Sequence, residues 1–308
     1  MLNSLSRVEL EKLFSSEFVK NENLNPLYSL YSIDFYQELY GDSWINYSSV
    51  CFVEERPVAL LITFISHEAS YFSMPGMIIC DHEYKNADIF ANSIIDKLIL
   101  DSKGLNIKLI KLCSNFDLII DSSHKQFLKN AYVDLSNSES IIRSSVRKSY
   151  KSLINWGLRN LDIKIHNSKN ITLHKFNEIK MFHLLVAKKK TRSDKSWDIQ
   201  YDMIKSAHGF IVEAHYMRQL ASASIIIHNS NEAFYGVSIN SEDLMREKLP
   251  INHLVLYKSI IESKSIGLTK FNFGDTSTST DNKINNINTF KNGFARQTEN
   301  KLTYEIYL

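Results

Sequence analysis

Phe271-Asn272-Phe273-Gly274-Asp275 reads as a short apolar strand stopped by a glycine. A Ser/Thr/Asn-rich loop long enough to lie over a ligand follows, and it runs into Phe290-Lys291-Asn292-Gly293-Phe294, where a lysine is held between aromatics. A cation fixed by packing can stabilise negative charge developing on a carbonyl oxygen, or can bind a phosphate. A surface lysine whose stem lies along a core edge has the same local pattern.

Working outward, Gly209 to Glu213, Leu220 to Ile227 and Glu232 to Ile239 read as strands, with a helical pattern over Asn252 to Ser263 and a strand over Lys270 to Phe273. The first half repeats that order. Val50 to Val53 and Val58 to Phe64 flank a tight turn, Tyr71 to Met74 is a third strand ended by Pro75-Gly76, Ala87 to Asp101 is helical, and Ile107 to Leu112 is again a strand. Antiparallel strands, helix and strand in the same sequence point to a duplicated α/β unit.

Between the halves, Ser138 to Asn160 reads as one helix capped by Ser138, with Ile142, Val146, Leu153 and Trp156 as its buried stripe. Arg143, Arg147 and Lys151 are four apart and would stack on one face, with Lys148 beside them. Such a basic ridge suits phosphates or is a solvated helix face. The expected organisation is a domain over 1–137, a linking basic helix over 138–160 and a second domain over 161–308, with a cleft between the halves as the expected site.

Composition narrows the function classes. A net charge of +2 over 308 residues does not advertise a nucleic-acid partner. Cys51, Cys80 and Cys113 are odd in number and widely spaced, which argues against a disulfide framework or a zinc site and for a reducing compartment. The longest clearly apolar run, Val58 to Ile65, is far short of the roughly 20 residues that cross a bilayer, and the charged N-terminal stretch lacks a signal-peptide core. The expectation is a cytoplasmic chain with no metal, no transmembrane segment and no tightly bound cofactor. The histidines lack H-x-x-x-H or H-E-x-x-H spacing, and there is neither G-x-S-x-G nor a Walker lysine motif.

With these elements in order, the chain resembles the Fem-type aminoacyltransferases, tandem-GNAT proteins that attach amino acids to peptidoglycan precursors, and their relatives in bacterial surface-polysaccharide loci. The resemblance is carried by Ser145-x-Arg147-Lys148-Ser149-Tyr150-Lys151 with Gly157, Gly209-Phe210-Ile211-Val212, Ala221-Ser222-Ala223 and Ala233-Phe234-Tyr235-Gly236-Val237-Ser238. It continues through Pro250-x-Asn252-x-Leu254, Ser265-Ile266-Gly267, Phe273-Gly274-Asp275 and Phe290-Lys291-x-Gly293-Phe294, and covers about half the chain. It implies two tandem GNAT-like α/β (α+β) domains, each a mixed, mostly antiparallel sheet flanked by helices. It also implies transfer of an acyl or aminoacyl group to an amine or hydroxyl of a nucleotide- or lipid-linked cell-surface sugar precursor. In the resemblance Lys291 steadies the carbonyl oxygen, Phe290 shapes the pocket and Tyr235 lines it. Ala295 and Asn272 depart from the family's usual glycine and aspartate.

The donor would be an aminoacyl transfer RNA, an acyl-coenzyme A or an acyl carrier protein. Coenzyme A needs backbone N–H groups for its pyrophosphate. The stretch Asn240 to Pro250 offers no glycine and three acidic residues, so repulsion is expected there. The candidate general base is Asp275, which reads equally as a turn residue, with Glu213 or His215 at the hairpin beside the cleft. Arg143, Arg147, Lys148 and Lys151, with the cluster Lys188-Lys189-Lys190-Thr191-Arg192, are candidate phosphate contacts; the cluster reads equally as cations complementing a helix end. A coenzyme A or carrier-protein dependent N-acyltransferase and a non-catalytic binding module are the rival readings.

Overall fold

The computed structural model describes residues 3–22, 24–40, 44–66, 76–114, 116–118, 120, 123–277 and 279–308, so the strand expected over Tyr71 to Met74 lies outside the described residues. In chain order the elements are β1 (Asn3–Ser4), α1 (Arg7–Phe14), α2 (Glu17–Asn21), α3 (Leu30–Tyr40), β2 (Trp44–Asn46), β3 (Ser49–Val53), β4 (Arg56–Ile62), β5 (Phe64–Ser66), β6 (Gly76–Cys80), α4 (Ala87–Gly104), β7 (Leu109–Ser114) and β8 (Ser123–Asp134). There follow α5 (Glu139–Ser145), α6 (Lys148–Asn160), β9 (Asp162–His166), α7 (Leu173–Ala187), α8 (Asp194–Lys205), β10 (Gly209–Tyr216), β11 (Gln219–His228), β12 (Glu232–Asn240), α9 (Glu242–Arg246), α10 (Ile251–Ser265), β13 (Lys270–Asp275), α11 (Asn282–Lys291) and β14 (Gln297–Tyr307).

These elements form two compact units, Met1–Leu128 with Asn300–Leu308, and Lys129–Glu299. In the first, β3, β4 and β6 pair antiparallel, α4 follows, β7 pairs parallel with β6, and β14 pairs antiparallel with β7. Gly76, expected to end a strand, instead opens the fully buried β6. In the second unit β10, β11 and β12 pair antiparallel, α10 follows, β13 pairs parallel with β12, and β8 pairs antiparallel with β13. The two units therefore share one topology, and each ends on a strand borrowed from elsewhere in the chain. The expected α/β duplication is present, as a mixed, mostly antiparallel sheet flanked by helices in each half.

Local chemistry explains the boundaries. The β3–β4 and β10–β11 hairpins close through Glu54-Glu55 and Met217-Arg218, both pairs at positive φ, the backbone that matches the twist of two strands joined by two residues. Side-chain oxygens of Ser6, Ser138, Thr172, Ser193 and Ser241 accept from backbone N–H groups at the starts of α1, α5, α7, α8 and α9. On β10 the period of two sends Phe210, Val212 and Ala214 into a core with α5, α6 and α10, and Ile211 into a separate core with α7 and α8.

The single helix expected over Ser138 to Asn160 is two. Val146 and Arg147 have extended backbone (ψ 141° and 136°), and the Arg147 N–H donates to Gly293 O at 2.8 Å instead of to a helix carbonyl. Ile154 and Gly157 are the buried residues of α6, while Leu153 and Trp156 are only half-buried. The polar stretch after Gly274 is also shorter than expected, because residues 282–291 are the helix α11. Among the described residues no helix is long and apolar enough to cross a membrane.

Candidate functional site

The candidate site residues singled out by sequence all lie in the second unit. Its two parallel strands pair only over Glu232–Phe234 and Lys270–Asn272. Beyond that point both strands bulge. On β12 the register jumps from Ile225↔Val237 to Ile226↔Tyr235 and leaves Gly236 unmatched; on β13 it jumps from Asn272↔Tyr132 to Asp275↔Asn130. Bulges re-aim side chains and end pairing, and the carboxyl ends of diverging parallel strands are where α/β sheets bind ligands.

The divergence is held by specific bonds. Buried Asn272 donates from Nδ2 to Glu232 Oε1 at 2.9 Å, and its Oδ1 accepts from Gly274 N at 2.6 Å. Gly274 has φ +75°, and an added Cβ would lie 3.3 Å from the Phe234 ring. The Tyr235 and Phe273 rings meet edge-on with centroids 6.1 Å apart where the strands part, and burial raises the Tyr235 hydroxyl pKa.

Asp275 then turns the chain. Its Oδ1 accepts from the N–H and hydroxyl of Ser277 at 2.8 and 2.5 Å, while Thr276 donates twice to Lys129 O. Asn288 of α11 donates to Ser277 O at 2.7 Å, so the helix is laced back onto the loop. Lys291 is the last residue of α11, and its Nζ donates to Asp275 O at 3.5 Å. The side chain is half-buried. Burial pulls its pKa below the ordinary lysine value, opposed by the Asp275 charge.

An aromatic cluster packs around the end of α11, next to Lys291 in sequence. Phe290 and Phe294 lie 5.4 Å apart, Tyr150 of α6 packs on both at 5.9 and 5.2 Å, and His253 of α10 stands edge-on to Tyr150 at 4.7 Å and to Phe290 at 5.3 Å. Burial pulls the His253 pKa down to about 4, so its ring is neutral near pH 7, and its Nδ1 is buried with no hydrogen-bond partner among the described residues. Sequence reading did not single out His253 or Tyr150 as site residues. Tyr150 falls inside the Ser145 to Lys151 motif and His253 inside Pro250-x-Asn252-x-Leu254, so their motif positions were the only available signal.

The basic ridge is divided by the helix break. Arg147 is brought to the last turn of α11: its guanidinium donates to Thr289 O at 3.3 Å and lies 4.9 Å from the Tyr150 ring. Lys148 is exposed beside it. Arg143 instead lies 4.8 Å over Tyr257 and donates to Asn155 Oδ1 and Lys151 O, while Lys151 Nζ donates to Ser144 O at 2.7 Å. Arg192 is stacked 3.3 Å from the Trp197 ring and donates to Gln200; burial lowers its pKa to about 9.

Glu213 is not at the hairpin. It is fully buried in mid-β10, with His166 Nε2 at 3.0 Å, His215 Nε2 at 3.2 Å and Lys175 Nζ at 3.5 Å around one carboxylate oxygen. Burial pushes its pKa up, but these partners together pull further, to about 2.

No protein-family model and no curated protein matches this sequence. Solved structures do. FemX superposes with a TM-score of 0.66 at 12% identity, over 100% of this chain and 97% of that one. An acetyltransferase of the GNAT family from Colwellia psychrerythraea gives 0.58 at 11% identity, with 100% of both chains covered. A tandem GNAT protein from the clavulanic acid biosynthesis pathway gives 0.57 at 7% identity, over 100% and 98%.

The chain has a tandem GNAT fold. The diverging β12 and β13, with α10 crossing between them, are the central strands of its second GNAT unit. At these identities the likeness shows the fold.

Proposed function

We propose that this chain is an acyl- or aminoacyl-transferase of the Fem type, acting in the cytoplasm on an amine or hydroxyl of a bacterial cell-surface sugar precursor. The observation that carries the reading is the half-buried Lys291 ammonium, bonded to Asp275 O at the carboxyl end of two parting parallel strands. In the reaction the acceptor nitrogen or oxygen bonds to the donor's carbonyl carbon, the bond to the donor's leaving oxygen or sulfur breaks, and the acceptor's proton passes to that leaving group. The tetrahedral intermediate carries its charge on the former carbonyl oxygen, where one fixed donor is worth about 3 kcal/mol.

Lys291 supplies that donor, Phe290 and Tyr235 wall the opening, and Arg147 with Lys148 meets a phosphate of the acceptor or donor. Arg143 and Lys151 brace the α5–α6 break. Arg192 is assigned a packing role on Trp197, and Asp275 is assigned to orienting Lys291 through its carbonyl, its carboxylate being committed to Ser277. Lys291→Met is expected to leave the melting temperature within a few degrees of wild type and to lower the turnover number at least about tenfold. Unchanged turnover removes Lys291 from the mechanism, and binding of donors and acceptors without product in a broad screen favours a non-catalytic module.

A coenzyme A thioester is the second reading, and one observation supports it. Glu242, in the stretch expected to repel a pyrophosphate, pairs with Lys188 at 2.5 Å, and Arg246 reaches both Glu242 and Asp243 at 3.2 and 3.3 Å. A rise in melting temperature at saturating coenzyme A would select it over an aminoacyl transfer RNA or a carrier protein.

A further inference from the structure

We infer that a cavity at the amino ends of β12 and β13 is a binding site for a small zwitterion with an apolar body, of which an α-amino acid is the simplest case. The cavity lies within the second unit, has a volume of about 490 Å³, and is lined from the β9–α7 connection, the start of β10, the β11–β12 turn and the end of α10. Both strands begin here, with Glu232 just after the turn and Lys270 just after Leu268, whereas Lys291 meets Asp275 at the far end of β13. The cavity is therefore separate from the site described above, and its volume is in the range of small-molecule pockets.

Three features of the lining define the ligand. Phe210, Ile266 and Leu268 give it an apolar part. Its charges are of both signs: Lys169 and Glu262 line the same cavity, and neither has an ion-pair partner among the described residues, Glu262 Oε2 accepting from the Ser265 hydroxyl at 3.1 Å. The third feature is His228. Its Nδ1 lies 3.0 Å from Asn229 O, and since a carbonyl oxygen only accepts, Nδ1 carries the proton. Burial holds the ring's pKa below the ordinary histidine value. At neutral pH Nε2 is therefore a bare acceptor, with no hydrogen bond among the described residues.

These features select by exclusion. A simple anion such as phosphate would meet Lys169 but be repelled by Glu262, and a simple cation would meet the reverse. A wholly apolar ligand would leave His228 Nε2 and both charges without a partner. A molecule with a carboxylate for Lys169, an ammonium for Glu262 and His228 Nε2, and an apolar side chain for Phe210, Ile266 and Leu268 matches every group in turn. The inference does not depend on the transferase reading.

The test is a thermal-shift screen of the full chain against each standard L-amino acid near neutral pH, followed by calorimetric titration of those that stabilise it. The expected result is saturable binding by amino acids with apolar side chains, leucine among them. Isopentylamine, which lacks leucine's carboxylate, and N-acetylleucine, which lacks its ammonium, should each bind at least about tenfold more weakly. Lys169→Met and Glu262→Gln should each weaken leucine binding by a similar factor without moving the melting temperature of the free chain, and Lys169→Met should erase the preference for leucine over isopentylamine. A shift of the His228 Nε2 resonance in nitrogen NMR on adding leucine reads the contact in the unsubstituted chain. No saturable binding by any apolar amino acid, analogues that bind as well as leucine, variants that bind it unchanged, or an Nε2 resonance that stays in place overturns the proposal. So does phosphate or a plain amine proving the tighter ligand.

Discussion

A Cβ on Gly293 would stand 2.0 Å from Cε2 of the Tyr150 ring. Glycine at this position is what allows the segment after Lys291 to lie against α6, where Gly293 O accepts from Arg147 N. The packing beside Lys291 therefore depends on this glycine.

Gly293→Ala is expected to destabilise the chain by about 1 to 3 kcal/mol through overpacking, lowering the melting temperature by about 2 °C or more. Combining it with Tyr150→Leu should give less loss than the sum of the two single changes, because the smaller side chain vacates the space. Strict additivity in that double-mutant cycle would show that the ring is not what the alanine meets.

Lys291 loses its proton at lower pH than an ordinary lysine, since burial disfavours the charged form. If its ammonium stabilises the oxyanion, activity should fall on the alkaline side as that proton is lost, and Lys291→Arg should move the fall to higher pH or remove it. A pH–rate profile with the same alkaline limb in the arginine variant would refute the assignment.

The acid side belongs to Glu213. Its folded pKa of about 2 lies below the unfolded value near 4.5, so its stabilisation is complete above about pH 4.5 and is lost as pH falls toward 2. Integrated over that window it is about 3 kcal/mol. Glu213→Gln should therefore be less stable than wild type at pH 7 and converge with it near pH 2, as measured by urea unfolding across the range. A gap that stays constant with pH would mean that the carboxylate's charge is not what stabilises the cluster.

Asn272 uses both ends of its amide, donating to Glu232 and accepting from Gly274. An aspartate there would set two carboxylates about a hydrogen-bond length apart with no donor between them. Asn272→Asp is expected to cost about 2 to 4 kcal/mol at neutral pH and to recover part of that loss as the solution is acidified and one carboxyl takes a proton. Circular dichroism melts at pH 7 and pH 5 decide this, and equal losses at both would count against the like-charge account.

Much of the fold was legible because hydrophobic period and turn residues are local signals. The apolar run within Gly209 to Glu213 and the alternation at Lys270 to Phe273 fall within β10 and β13. The break at Val146-Arg147 was not legible. A helical stripe continues through those residues, and only the bond from Arg147 N to Gly293 O, across a long stretch of chain, outbids the helix there. Glu213 was misplaced for a related reason. A charged residue near a strand end reads as exposed until the partners that neutralise it, His166 and Lys175, arrive from β9 and α7.

By itself the sequence determined the repeated order of strands and helices, the caps and hairpins that bound them, and the placing of Lys291 between aromatics, since each of these follows from neighbours within a few residues. Only the tertiary structure decided that β12 and β13 part at the contact of Tyr235 with Phe273, that Arg147 rather than Arg143 reaches the last turn of α11, and that a neutral His253 packs edge-on to Phe290. Those are contacts between residues far apart in the chain, set by bulges and by close packing at glycine.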